Sequence, residues 1–423
     1  MKIAVVDERA NRAGEHKASS LPVLPRHQTL LSLPTDGEPQ DLFNASPETV
    51  SPARLGERDR FLPQARPARR ERDVAVTLQA NRTDTMRRTA QARRVGNSHS
   101  APCCLDDFVP SEVGALKNPQ TDLPRIARDP RLTAAIDARL REVPTWHELH
   151  LGDARAMHFL QPASVHLIVT SPPYWTLKEY RHSDGQLGQI ADYEDFLREL
   201  DAVWHHCFRA LVAGGRLVVV VGDVCLSRRK NDGRHMVVPL HASIQERCRG
   251  VGFDNLATII WHKIANAVYE VENGSSFLGK PYEPNAIIKN DIEYILMQRK
   301  PGGYRSPSVA TRVLSVISAE NYQKWFQQIW SGLTGASTRQ HPAPYPLELA
   351  ERLVRMFSFV GDTVLDPFAG TGTTTLAASR WGRNSIAVEV DPHYYAMMRA
   401  RLLEATAGLY ETSRLNFRTD EAV

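Results

Sequence analysis

From about residue 131 onward, apolar runs of strand length alternate with stretches whose apolar residues return every three or four positions. The runs at 165–171, 216–223, 293–298, 363–366 and 385–390 predict strands. The stretches at 193–211, 237–248, 347–357, 373–381 and 392–403 predict helices. Strand and helix in alternation specify an α/β domain with a mostly parallel sheet over residues 131–423. Residues 264–335 break this rhythm with Gly, Pro, Asn and Ser, together with Tyr269, Phe277, Tyr282 and Tyr322.

Residues 1–130 show neither period and hold only Phe43, Phe61 and Phe108 as aromatics. Such a stretch cannot offset its ordering entropy by burial, so it is expected to be a disordered, low-complexity tail rich in Arg and Pro. Residues 51–100 carry twelve arginines against five acids, with pairs at Arg69-Arg70, Arg87-Arg88 and Arg93-Arg94. These can lie along phosphates or can equally be a solvated arm.

Composition adds little. The 423 residues are 42% hydrophobic with a formal charge of +4, which suits an ordinary soluble protein and argues only weakly for a polyanionic partner. No apolar run reaches the about 18 residues of a membrane span, and the N-terminus places acids and arginines where a leader needs an apolar stretch. The expected setting is therefore the cytoplasm, with no membrane partner. Cys103, Cys104, Cys207, Cys225 and Cys248 form no CxxC pair and no His/Cys spacing for a tetrahedral ion, so reduced structural thiols and no metal are expected.

Two strand ends carry chemistry. The strand at 363–366 runs into Asp366-Pro367-Phe368-Ala369-Gly370-Thr371-Gly372-Thr373-Thr374 and then a helix, the place where open α/β sheets bind ligands. Gly370 and Gly372 would allow unusual dihedrals and a close approach of ligand to backbone. No lysine follows them as in a P-loop, and the spacing is not the GxGxxG of a dinucleotide fold, though a purely structural turn stays open. Glu389, ending the next strand, can accept both hydroxyls of a ribose, while Asp391-Pro392 reads as an N-cap and first helical residue.

The strand at 165–171 ends in Ser171-Pro172-Pro173-Tyr174. Two prolines fix the backbone and hold carbonyl acceptors rigidly beside a tyrosine face, which suits an extruded base presenting an amine. Together, Ser171 to Tyr174 followed by Asp366 to Thr374 resembles the β class of DNA amino-methyltransferases, in which the catalytic motif precedes the cofactor motif. The resemblance spans roughly residues 145–405.

The resemblance implies a Rossmann-like, S-adenosylmethionine-dependent methyltransferase sheet, circularly permuted with the catalytic half before the cofactor half. It implies S-adenosylmethionine on the 366–374 loop with its ribose on Glu389, Asp153 near the adenine, and His341 and Pro342 in the segment that closes over the methionine end. Trp261-His262-Lys263 is similar to a weaker motif on the base-pocket side. Residues 264–335 take the place of the target-recognition region. Hydrogen bonds from the target amine to the Ser171 side chain and the Pro172 carbonyl would localise its lone pair toward the methyl group, with Tyr174 stacking on the base. Serine rather than Asp or Asn at 171 points to cytosine N4, with adenine N6 as the alternative. An RNA methyltransferase and a non-catalytic DNA-binding regulator are the other readings. Arg228, Arg229, Lys230 and Arg234 follow the strand at 216–223 and form a candidate phosphate-binding loop. The partners implied are double-stranded DNA and a cognate restriction endonuclease.

Overall fold

The computed structural model describes residues 104–178, 180–263, 290–336, 344–407 and 412–419, all within a unit that begins at Arg94. The arginine pairs of the tail, residues 264–289, His341, Pro342 and the side chain of Lys230 lie outside the described residues.

A mixed sheet organises the unit. Its parallel half runs in the order β12 (Ser413–Thr419), β1 (Thr145–Leu151), β11 (Asn384–Glu389), β10 (Thr363–Asp366), β2 (Val165–Thr170) and β3 (Leu211–Val221). Next to β3, β8 (Ile292–Arg299) runs antiparallel, followed by β7 (Ile259–His262) and a short β9 (Ile329–Trp330), while β6 (Asp254–Asn255) pairs with the end of β8. The expected α/β fold with a mostly parallel sheet is what the chain adopts.

Successive residues of β2 and β3 point to opposite faces, and both faces are covered, which is why these strands read as unbroken apolar runs. On one face Ile168, Leu217, Val219 and Val221 pack against Phe196, Leu200 and Trp204 of α3 (Tyr193–Ala210) and Leu240 and Ile244 of α4 (Leu240–Val251). On the other, Leu167, Val169, Val218 and Val220 meet Leu349, Leu353 and Val354 of α7 (Leu347–Phe357) and Ala377 and Ala378 of α8 (Thr373–Arg380). Burial of each such Val, Leu, Ile or Phe side chain contributes about 1.5–3 kcal/mol. Asp192 starts α3 by accepting the Asp195 amide at 2.8 Å, and Glu194 and Asp195 oppose the dipole in its first turn.

Three expectations are corrected. Folded structure begins before residue 131: α1 (Pro119–Arg128) and α2 (Pro130–Arg139) bury Ile126, Leu132 and Ile136 in one cluster with Val313 and Leu314 of α5 (Val309–Leu314). Few apolar residues suffice there, because Asn118 and Asp129 cap helices that open on Pro119 and Pro130. In the 264–335 stretch the strand expected at 293–298 is present as β8, paired with β3 over six residues from Arg216 with Arg299 to Val221 with Tyr294, and the departure from an otherwise irregular stretch is the pair of helices α5 and α6 (Ala319–Trp325). Finally, α4 starts at Leu240 and not at Val237, because Met236–Val238 forms β5, a hairpin partner of β4 (Val224–Leu226), and Pro239 caps the helix.

The chain turns back on itself between β10 and β2. From β10 the order proceeds through β11 to β1, from β2 it proceeds the other way to β3, and β10 touches β2 through only two residue pairs. A crevice must open at the carboxyl ends of these two strands. Both motifs hang over it.

Candidate active site

Asp366, the last residue of β10, ties the two motifs together. Its buried carboxylate accepts Thr170 Oγ1 at 2.7 Å, Thr374 Oγ1 at 2.6 Å, the Phe368 amide at 3.1 Å and Tyr345 Oη at 3.1 Å. Thr170 immediately precedes Ser171, so the ends of β2 and β10 are locked in register. Burial raises the Asp366 pKa, and the four donors oppose that rise.

Beyond Asp366 the glycine-rich loop divides its labour. Pro367, Phe368 and Gly370 face a cleft of about 570 Å³ that Gly152, Asp153, Ser171, Pro173, Tyr180 and Glu389 also line. Gly370 has φ +53° and donates its amide to Glu389 Oε2 at 2.7 Å. Ala369 is buried, with its amide on the Val388 carbonyl at 2.9 Å. Thr371 and Thr373 turn to another surface, where the Arg401 guanidinium reaches the Thr371 carbonyl at 3.2 Å and Thr373 Oγ1 at 3.0 Å. Gly372 (φ +79°) is a packing glycine. A Cβ there would come within 2.7 Å of Met398 Cγ on α9 (Pro392–Ala407), so the left-handed backbone and the packing of α9 both call for glycine.

Glu389 sits at the tip of β11, beside the cleft and buried. Its Oε1 accepts the Asp391 amide at 2.9 Å, as its Oε2 accepts Gly370. Each oxygen keeps a lone pair for an incoming hydroxyl. Burial is the main cause lifting its pKa from 4.5 to about 7, while the two backbone amides oppose it and Asp391 and Asp366 add to it. Asp391 accepts the His393 amide at 2.7 Å, the N-cap role its sequence suggested. On the neighbouring strand end, where the Gly152 amide donates to the Glu389 carbonyl at 3.0 Å, Asp153 accepts the Arg155 amide at 2.8 Å, and Arg155 also reaches Glu199 at 2.5 Å.

Ser171 belongs to two clefts. A second one, of about 720 Å³, is lined by Ser171, Tyr174, Lys178, Asp223, Lys263 and Glu293 among others. Pro172 and Pro173 are buried, and Pro173 faces the first cleft. Tyr174 is buried with its hydroxyl 3.3 Å from Ser171 Oγ, 3.4 Å from Glu293 Oε2 and 3.5 Å from the Val220 carbonyl. Burial and then the Glu293 charge hold its pKa well above the usual tyrosine value, so the phenol keeps its proton. Trp261 is fully buried with its indole N–H on the Leu333 carbonyl, and Lys263 projects to Glu293 at 2.6 Å.

The family of the chain follows from a match of its residues 165–400, more than half of its length, to the N6/N4 DNA methylase model. The chain belongs to the N6/N4 DNA methylase family. This methylase is 36% identical over 281 residues to the Type II methyltransferase M.MjaI of Methanocaldococcus jannaschii, covering 59% of this chain and 89% of that one. It is 34% identical to the Type II methyltransferase M.MthZI of Methanothermobacter thermautotrophicus, over 62% of this chain and 77% of that one. Among solved structures, a proposed DNA modification methylase of Thermus thermophilus complexed with S-adenosyl-L-methionine is 53% identical, covers 66% of this chain and 99% of its own, and superposes with a TM-score of 0.54.

The basic loop joins β4 to β5. Arg228 to Lys230 form a short 3-10 turn between β4 and β5, closed by the Gly233 amide on the Arg228 carbonyl at 2.9 Å, and Arg228, Arg229 and Arg234 are exposed. β4 begins one residue after Asp223, which lines the second cleft, so the loop projects from that cleft's wall. The sequence reading missed Tyr180, Asp223, Glu293 and Tyr394, all of which line a cleft. Asp223 ends the run at 216–223 as Glu389 ends β11, a signal that was present; Glu293 lies inside a strand and carries none.

Proposed function

We propose that this chain methylates the N4 amine of cytosine in double-stranded DNA. It is a DNA amino-methyltransferase of the N4/N6 family, and S-adenosylmethionine is its cofactor. The observation that carries the reading is the position of Ser171, which lines both the cleft that holds Glu389 and the cleft that holds Tyr174 and Glu293.

The first cleft fits an adenosyl sulfonium. Glu389 keeps acceptor lone pairs for two ribose hydroxyls, and Phe368 and Tyr394 offer apolar walls. When bound, the cofactor supplies an electrophilic methyl group. Asp153 is assigned to the adenine end and Ser171 and Pro173 to the methyl end.

The second cleft takes the base. An exocyclic amine delocalises its lone pair into the ring and must be made nucleophilic by acceptors on its hydrogens. The Ser171 hydroxyl and the Pro172 carbonyl are assigned that role, which places preorganised dipoles where charge develops. Tyr174 forms part of the wall against which an extruded base stacks, a contact of ~1–3 kcal/mol that offsets much of the few kcal/mol of extrusion. Arg228, Arg229 and Arg234 hold phosphates at the rim. Serine at 171 supports cytosine over adenine through the family resemblance. The Type II designation of the relatives supports a role beside a restriction endonuclease of the same specificity.

Transfer of a radiolabelled methyl group from S-adenosylmethionine to duplex DNA tests the reading. Label in duplex DNA, lost from the Ser171→Ala variant while cofactor binding persists, is the expected result. Label in RNA only, or undiminished transfer by the variant, would overturn it.

A further inference from the structure

We propose that Glu293 is a positioning residue that sets the direction of the hydrogen bonds behind Ser171. The inference rests on the function proposed above.

A serine hydroxyl has one hydrogen and two acceptor lone pairs. To localise the lone pair of a target amine, Ser171 Oγ must accept, so its own hydrogen has to be directed away from the pocket. Tyr174 Oη lies 3.3 Å behind it. A phenol can donate as well as accept, and if it donated to Ser171 the serine hydrogen would be turned toward the amine. That reversal is prevented from behind. Among the described residues the two other partners of Tyr174 Oη are Glu293 Oε2 at 3.4 Å and the Val220 carbonyl at 3.5 Å, both acceptors. The phenol hydrogen is therefore drawn to them, its oxygen is left to accept, and the chain runs from Ser171 through Tyr174 to Glu293.

Glu293 adds charge to that direction. Its other oxygen, Oε1, takes the Lys263 ammonium at 2.6 Å, which fixes the carboxylate plane and compensates its partial burial. A carboxylate polarises the phenol more than a neutral carbonyl does, and the effect passes along the chain to Ser171. Lys263, in the Trp-His-Lys segment, thus anchors the anion, with its ammonium 5.4 Å from the Trp261 ring centre. In this role Glu293 acts on Ser171 through Tyr174.

A double-mutant cycle on the full-length protein, read as single-turnover methyl transfer to duplex DNA at saturating cofactor, tests this. Glu293→Gln should slow transfer about tenfold, with the KM for DNA and cofactor affinity changed less than about twofold. In the Tyr174→Phe background the same substitution should cost less than about twofold, because the link to Ser171 is already cut. Equal losses in both backgrounds, or a loss confined to KM, would overturn the role. Should Glu293→Gln fail to fold, Glu293→Asp, which withdraws the carboxylate by one methylene yet keeps its charge beside Lys263, enters the same cycle with the same expected non-additivity. A parent enzyme that forms N6-methyladenine overturns the base assignment and leaves the cycle readable on that product. One that labels no DNA overturns both inferences, whereas multiplicative losses in an active enzyme overturn only this one.

Discussion

Cofactor binding should depend on pH through Glu389, and the size of the effect follows from its burial. The carboxyl group is lifted from 4.5 to about 7, which corresponds to about 3 kcal/mol against the anion. Between those two values the folded chain holds a proton that the unfolded chain has released. The stabilising share of this group is therefore complete below 4.5 and is lost as pH rises through about 7. Ribose hydroxyls need the ionised form, with both oxygens accepting, so binding selects the anion. At pH 8 that form predominates, and at pH 6 it is roughly one tenth of the population, which lowers the apparent affinity about tenfold. Calorimetric titration with S-adenosylmethionine at pH 6, 7 and 8, in two buffers of different ionisation enthalpy, measures both the affinity and the proton released. Glu389→Gln should bind more weakly at pH 8 and show no slope, because an amide offers only one acceptor oxygen and does not titrate. A parent affinity flat in pH, or a slope that survives in the variant, would refute the assignment of the proton to Glu389.

Other substitutions probe the scaffold and the DNA surface. Gly372→Val puts a branched side chain at φ +79° against Met398 and should lower stability by about 2–4 kcal/mol in denaturant titration; an unchanged midpoint would contradict the packing role. Replacing Arg228, Arg229 and Arg234 by Ala should reduce the slope of log affinity for DNA against log salt by about 2–3, and an identical slope would remove the loop from the interface. Truncation to residue 131 deletes α1 and uncovers the cluster around Val313 and Leu314, so it should lower the melting temperature, whereas truncation to residue 104 retains that cluster. Equal melting temperatures for the two truncations would show that the packing of α1 contributes nothing.

The sheet was legible in the sequence because its central strands are covered on both faces and therefore read as continuous apolar runs. The glycine loop and the Ser-Pro-Pro-Tyr turn were legible because chemistry and backbone constraint coincide there. What escaped had other physical causes. The helices at 119–139 are short, bury only a few aliphatic residues and include Pro124, so little in them reads as core, although the Asn-Pro and Asp-Pro openings announce them. Gly372 reads as a ligand-contact glycine beside Gly370, which does face the cleft, whereas the atom that a Cβ would meet at Gly372 comes from Met398, a full strand and helix later, and nothing local encodes that contact. Glu293 and Tyr345 act through partners at 119 and 21 positions' distance, Tyr174 and Asp366, and only the folded chain brings them together.

Mass spectrometry of nucleosides released from duplex DNA after incubation with the protein and isotopically labelled S-adenosylmethionine tests the central claim most directly. The expected product is labelled N4-methyldeoxycytidine, absent when Ser171→Ala replaces the parent. Labelled 5-methyldeoxycytidine would contradict the claim at the level of mechanism, because carbon methylation requires a nucleophile adduct that the Ser171 cluster does not provide, and labelled N6-methyldeoxyadenosine would contradict the choice of base.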